Sequence, residues 1–258
     1  MAGKGLLPLQ RQEEIFRILA TRGFASVAEL AGEIAVSDMT VRRDLDVLAE
    51  QGRVQRVFGG ARVRDQSAAE ALYTERLERD RAAKEAMARC AAALVRDGDS
   101  IALDASTTVV YLARELRERP VTVVTNSLLV ARELAAASGT LIVLGGTYRP
   151  VARSLVGPMT ERDLGDLHVD RVFFSGKGVE AEAGVTDSHL EEVGVKRALI
   201  AGSAHVVAVT DHSKFGGVAL HTVARLDRID TLVTDRAPPK AIASVLKRGD
   251  AEVLVADG

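Results

Sequence analysis

Residues 26–51 read SVAELAGEIAVSDMTVRRDLDVLAEQ, and their reading decides the N-terminal fold. Ser26 is a favoured N-cap, and Glu29 three residues on completes a capping box. Val27, Leu30 and Ile34 recur at helical spacing, so this first helix buries one stripe. Ser37 caps a second helix whose inward face is Val41, Leu45 and Leu48, with Gly52 as the expected stop. Thr40, Arg42 and Arg43 fall off that apolar stripe, near the helix N-terminus. This is the layout of a helix-turn-helix, which inserts its second helix into a DNA major groove. A plain surface helix pair, with Arg42 and Arg43 paired to Asp44 or Asp46, has the same short signature. The flanks separate the two.

Upstream, residues 11–22 carry Ile15, Phe16, Ile18 and Leu19 and end at Gly23, a third helix able to cover the other two. Downstream, Val54 and Val57 lead into Phe58-Gly59-Gly60-Ala61 and Val63, a hairpin signal with a Gly-Gly turn. Residues 51–64 hold Arg53, Arg56, Arg62 and Arg64 and no acid. Three helices and a basic hairpin make a winged helix-turn-helix, and double-stranded DNA is the expected partner. Net charge adds nothing: through Val63 nine Lys/Arg face eight acids. Phosphate attraction is therefore local to the second helix and the wing.

A chain of 258 residues, 47% hydrophobic and 27% charged, has core material for a small domain and a larger one. Residues 1–14 lack the apolar run of a signal peptide, and no stretch reaches membrane-spanning length. The single cysteine, Cys90, lies in an Ala-rich helical stretch and reads as a small core residue, so no disulfide framework or zinc site is available. The five histidines show no pair at ligand spacing. A cytoplasmic protein without metal or cofactor is expected, with no membrane contact.

The predicted organisation is a DNA-binding domain over 1–63, a linker over 64–80 and a sensing and oligomerisation domain over 81–258. In the last, strands are read at 100–104, 121–126, 140–144, 172–175, 206–211, 231–234 and 252–256. Helices are read at 84–95, 109–119, 128–137, 190–201 and 240–247. Short apolar strands alternating with helices predict an α/β fold with a mainly parallel sheet. Ligands of such sheets bind beyond the strand C-termini. Asp104-Ala105-Ser106-Thr107-Thr108 runs from a strand into a helix, and hydroxyls with free N–H groups there suit a phosphate. Thr125-Asn126-Ser127, Gly145-Gly146 and Ser175-Gly176-Lys177-Gly178 end other strands. Asp211 precedes Ser213-Lys214-Phe215: Lys214 could reach an anion, and Asp104, Asn126 or Asp211 sugar hydroxyls. Each element alone is also an ordinary cap or turn, and Glu192 with Lys196 is also an ordinary i,i+4 surface pair. Their convergence at strand ends points to a small polyhydroxy phosphate.

The chain resembles the DeoR family of bacterial transcriptional regulators over nearly its whole length. The N-terminal resemblance includes Val41-Arg42-Arg43-Asp44-Leu45 and Gly59-Gly60-Ala61. The C-terminal resemblance includes Asp104 with Ser106-Thr107-Thr108, Thr125-Asn126-Ser127, Gly145-Gly146, Gly184-Val185-Thr186, Glu192 with Lys196, Asp211 with Ser213-Lys214-Phe215, and Thr234-Asp235. The resemblance implies a repressor of sugar-metabolism genes, released from its operator by a phosphorylated sugar. It implies a sensor domain similar to ribose-phosphate isomerases and CoA transferases, and binding to DNA as a homodimer or higher oligomer. Carried over by position, it assigns DNA contacts to Ser37, Thr40, Arg42 and Arg43. It assigns the phosphate cradle to Ser106, Thr107 and Thr108, and further pocket roles to Asp104, Asn126, Gly145, Lys196, Asp211 and Lys214. Two positions depart from the family pattern: Phe58 stands where histidine is most frequent, and Ser106 where glycine is frequent. The alternative is a sugar-phosphate isomerase or transferase with a DNA-binding appendage. Asp104, Glu192 and Asp211 could supply acid–base groups for it, but no nucleophile–base pair is legible.

Overall fold

The computed structural model describes residues 7–22, 24–51, 53–63 and 73–256, in two compact units that divide between Arg76 and Leu77. Gly23, Gly52, Arg64 and residues 65–72 of the expected linker lie outside the described residues.

The first unit contains α1 (Pro8–Arg22), β1 (Phe24–Ser26), α2 (Val27–Ile34), α3 (Asp38–Glu50), β2 (Val54–Val57) and β3 (Gly60–Val63). Ser26 accepts a hydrogen bond from the Glu29 amide, and the Glu29 carboxylate accepts one from the Ser26 amide at 2.7 Å, the reciprocal box the sequence predicts. The Ser37 hydroxyl accepts from the Thr40 amide at 3.2 Å and starts α3. Between these helices Ala35 takes a left-handed conformation (φ 56), and the Ala35 and Val36 amides both return to the Ala31 carbonyl. That tight stop turns the chain into α3. Ile15, Leu19, Leu30, Val41, Leu45 and Leu48 are fully buried, so the three apolar stripes meet in one core.

The hairpin differs from expectation in two ways. Its loop is Phe58-Gly59, with Val57 paired to Gly60 and Gly59 at φ 78, rather than Gly-Gly. A two-residue hairpin loop needs positive φ, which Gly59 supplies. Gly60 serves a different purpose, because a Cβ there would lie 2.2 Å from the Ala25 carbonyl oxygen. That contact comes from β1, an unexpected third strand that pairs antiparallel with β3, so the wing is a sheet of order β1-β3-β2.

The second unit is built on β4 (Ser100–Leu103), β5 (Thr122–Thr125), β6 (Thr140–Val143), β9 (Val169–Phe174), β12 (Ser203–Val209), β14 (Thr231–Thr234) and β15 (Glu252–Val255). All seven are parallel, in the order β15-β14-β12-β9-β4-β5-β6. Every predicted strand is present, and the sheet is wholly parallel. Its helices are α4 (Arg81–Ala92), α5 (Thr107–Glu115), α6 (Leu128–Leu134), α7 (Pro158–Leu164), α8 (Leu190–Ala201) and α9 (Lys240–Arg248). Successive strand residues alternate between faces. Ala102, Val124, Val172, Phe174, Val206, Ala208 and Leu232 share one core with Val193, Leu199, Ile242 and Leu246. Ile101, Leu103, Val123, Phe173, Val207 and Val233 are buried on the other face.

Elements absent from the sequence reading fill the connections. They are α7, the hairpin β7 (Thr147–Arg149) with β8 (Ser154–Val156), and an antiparallel sheet of β10 (Gly178–Glu180), β11 (Gly184–Asp187) and β13 (His221–Ala224). The chain runs outward through β4, β5 and β6, then returns to lay β9 against β4 before running outward the other way. The C-terminal ends of β4 and β9 therefore flank the switch point of the sheet, where such folds open a crevice.

Candidate functional site

The exposed face of α3 is set by its apolar stripe. With Val41, Leu45 and Leu48 turned inward, Arg42 and Arg43 stand exposed, and neither guanidinium pairs with a carboxylate among the described residues. Asp44 is buried and committed elsewhere, to Arg11 at 2.5 Å and Gln12 at 3.2 Å, an ion pair that clasps α1 to α3. Asp46 is taken by Arg56, which also donates to the Arg42 carbonyl at 3.1 Å. The plain surface pairing of Arg42 or Arg43 with Asp44 or Asp46 is thus not what forms. Ser37 is exposed, but its hydroxyl is engaged with Thr40 as the helix cap. Met39, which the sequence reading passed over, is 61% exposed and lies one turn before Arg42 and Arg43 on the same face.

The wing arginines divide. Arg53 makes a forked pair with Glu13 (2.6 and 2.9 Å) and stacks on Phe16 at 4.1 Å, and the Glu13 hydrogen bond raises its pKa. Arg56 is held by Asp46. Both brace the domain from within, which sequence spacing alone did not reveal. Arg62 is exposed and donates to the Gln55 side chain at 2.9 Å, and Phe58 stands fully exposed at the hairpin tip.

At the switch point of the sheet the second unit holds a buried ionic cluster. Asp104, at the end of β4, has no solvent exposure; it accepts from the Ser106 amide at 2.9 Å, the Ser175 amide at 3.1 Å and the Lys196 ammonium. Lys196 comes from α8 and also donates to the Ser175 carbonyl at 2.8 Å. Burial depresses the Lys196 pKa, but Asp104, Asp187 and Glu192 outweigh it and hold the ammonium charged. Asp187, at the end of β11, lies 3.9 Å from Lys196 and 3.8 Å from Lys177. Burial raises its pKa, and the two ammoniums bring it below the usual range. Lys177 donates to Ser188 at 2.5 Å. Glu192 is not the surface partner of Lys196: it is buried, accepts from Ser154 and pairs with Arg149 at 3.4 Å. His189, at the N-cap of α8, is pushed down to about 4, first by burial and then by Arg149 and Lys177, so it is neutral near pH 7.

The expected pocket residues fare differently. Ser106 precedes α5, makes no cap hydrogen bond, and its enclosed hydroxyl has no hydrogen-bond partner among the described residues. Thr107 and Thr108 open the helix, where the first amides have no intrahelical acceptor. Asp104 and Lys196 are turned into the protein and satisfy each other, so they offer no free groups at this strand end. On the neighbouring strand, Asn126 donates to the Leu155 carbonyl at 3.0 Å, and its side-chain oxygen has no partner among the described residues. Gly145 lies two strands from β4, about 10 Å at ordinary strand spacing. A Cβ there would meet only the Met159 sulfur at 3.6 Å, so close packing does not require this glycine. The tight position is Gly146, where a Cβ would lie 2.1 Å from the Thr160 hydroxyl. Asp211 follows β12, also two strands from β4. Its carboxylate accepts from the Ser213 amide at 2.9 Å and the Ser213 hydroxyl, capping its own turn, and Lys214 is half-buried beside it. Arg149, Ser154, Asp187 and His189 were missed as members of this cluster. Among the described residues no group of His, Cys, Asp or Glu is placed to hold a metal, and no helix is long and apolar enough to cross a membrane. Cys90 is only half-buried.

A family model described as DeoR-like helix-turn-helix domain matches residues 11–67, and one described as DeoR C terminal sensor domain matches residues 79–236. The HTH-type transcriptional repressor GlcR of Bacillus subtilis is 35% identical over 249 residues, covering 96% of each chain. The HTH-type transcriptional regulator GolR of Listeria innocua is 32% identical over 254 residues, covering 98% of this chain and all of its own. Among solved structures, ribose 5-phosphate isomerase A of Methanocaldococcus jannaschii covers 51% of this chain and 53% of its own, with a TM-score of 0.38 and 20% identity.

Proposed function

This chain belongs to the DeoR family of DNA-binding transcriptional regulators, and on that premise we propose that it represses sugar-metabolism genes and is released from its operator by a phosphorylated sugar. It is a regulator and not an enzyme. The observation that carries the effector reading is the unpartnered, enclosed Ser106 hydroxyl at the start of α5, beside the switch point of the sheet. In this reading a phosphate sits on Ser106, Thr107, Thr108 and the free amides of α5. The sugar extends toward Asn126 on one side and toward Lys177 and Asp187 on the other. Asp104 and Lys196 brace the floor, and Gly145, Asp211 and Lys214 lie farther out along the same edge.

On DNA, Arg42 and Arg43 contact base edges or phosphates, Met39 approaches a thymine methyl, and Arg62 and Phe58 reach from the wing. Thr40 and Ser37 set the start of the recognition helix. Two copies read half-sites roughly 34–36 Å apart, or a multiple of that. Effector binding favours a sensor state that misaligns the two readers, with a coupling of roughly 1–3 kcal/mol.

The test is fluorescence anisotropy of a labelled fragment from the upstream region of its own gene, titrated with protein and then with a panel of sugar phosphates. One phosphate should raise the apparent Kd several-fold, its unphosphorylated sugar should not, and Ser106→Ala with Thr107→Ala should abolish the response while leaving DNA affinity intact. Indifference to every phosphate overturns the effector reading.

A further inference from the structure

We propose that β6 is the self-association edge of this protein, pairing antiparallel with β6 of a second copy about a two-fold axis through Ile142. The proposal rests on the two-copy reading above and says where the copies join.

β6 ends the seven-stranded sheet, and no other strand among the described residues pairs with its outer side. The Thr140 and Leu144 amides donate inward to the Val121 and Thr125 carbonyls of the β5 segment, at 3.0 and 2.9 Å. By strand alternation, Leu141 and Val143 direct their N–H and C=O groups outward. An open strand edge is normally guarded by charge, proline or a bulge. Here no charged residue and no proline occurs from Leu134 through Tyr148. Ile142 and Val143, which face opposite sides of the sheet, are 39% and 42% exposed, and Met159, 3.6 Å from the Cβ position of Gly145, is 54% exposed. Among the described residues both faces of this strand stay partly open.

The occupant that fits is a second β6. An uncharged apolar edge offers no ionic feature for a different partner to match, and an identical edge supplies the same backbone groups in reverse. With Leu141 opposite the copy's Val143, the outward N–H and C=O groups of both strands are satisfied, and Ile142 meets Ile142 in the close, non-hydrogen-bonded register. The opposite edge, β15, begins with exposed Glu252 just after Asp250, which disfavours extension there. Pairing through the β6 edge alone is isologous and gives a closed dimer and not a filament.

The experiment uses the full chain with Cys90→Ser, which leaves no other thiol. Ile142→Cys should form a disulfide-linked dimer under mild oxidation, because the axis puts the two side chains opposite each other. Thr140→Cys, whose partner is Leu144, should not cross-link. By sedimentation equilibrium, Ile142→Lys with Val143→Lys should raise the dimer Kd by roughly a hundredfold, with the native circular dichroism spectrum retained, while Val255→Lys leaves association unchanged. A dimer that survives the double lysine change, or that fails to cross-link through position 142, overturns the proposal and leaves the two-copy reading intact. A native chain that stays monomeric while binding a single half-site overturns both.

Discussion

Each unit of this molecule holds a buried ion pair, and the two are built to different ends. Arg11 and Asp44 join α1 to α3 at the rim of the small core, where the arginine keeps 16% of its side chain in solvent. Lys196 and Asp104 join α8 to β4 with 6% and none. The first pair positions the helix that carries Arg42 and Arg43. The second lies at the switch point between β4 and β9, with the backbone of Ser106 and Ser175 completing its hydrogen bonds. A sealed ion pair seldom stabilises a fold more than apolar residues of the same volume. The rim pair is therefore accounted for by what it holds in place, and the sealed pair by what lies above it.

The largest test of that contrast is Lys196→Met. Leaving Asp104 charged and unpaired should cost about 3–5 kcal/mol in urea unfolding, whereas adding Asp104→Leu should recover most of the loss and abolish effector response. A double variant that still senses its effector would break the distinction. Asp44→Ala comes next, releasing Arg11 and Gln12 together. A loss of roughly 1.5–3 kcal/mol, confined to the first unit in amide hydrogen exchange, is expected.

The arginines sharpen the comparison further. Arg43→Ala should weaken operator binding by roughly 1–3 kcal/mol with the melting temperature unchanged. Arg53→Ala should lower stability by about 1 kcal/mol through loss of Glu13 and Phe16 contacts, with a smaller effect on sequence preference. The smallest effect concerns His189, whose pKa of about 4 lies below the ordinary 6.5. Between those values the unfolded chain binds a proton that the folded chain refuses, so stability falls as pH drops from 6.5 to 4. His189→Asn should flatten that part of the Tm–pH profile by less than about 1 kcal/mol, given solvent screening. Arg149, Lys177 and His221 act against the proton and Asp187 for it.

The helix-turn-helix and all seven central strands were legible because each announces itself locally, through a cap, an apolar stripe or a β-branched run. The three-residue pieces β1, β7, β8 and β10 are too short to show a period, and the partner of β1 is also distant in sequence. Lys196 was placed in the pocket by resemblance alone, because its burial is hard to see locally. Its spacing from Glu192 suggests a solvated pair, yet Val193, Val195, Leu199 and Ile200 flank it on several sides of α8. Apolar residues all round a helix indicate burial on more than one face, and that is the signal by which a buried lysine could have been found. The crevice edge was visible as strand ends. The ionic partners beneath it come from segments that only the sheet order brings together.

That sheet order also sets a timetable for biosynthesis. Leu103 registers with Phe173, and Lys196 follows later still, so the ionic cluster at the switch point cannot assemble until most of the polypeptide has left the ribosome. The core of the helix-turn-helix unit draws only on residues 15–61, and domains emerging first generally fold first. A newborn molecule thus acquires its grip on DNA before it acquires its ear for the signal.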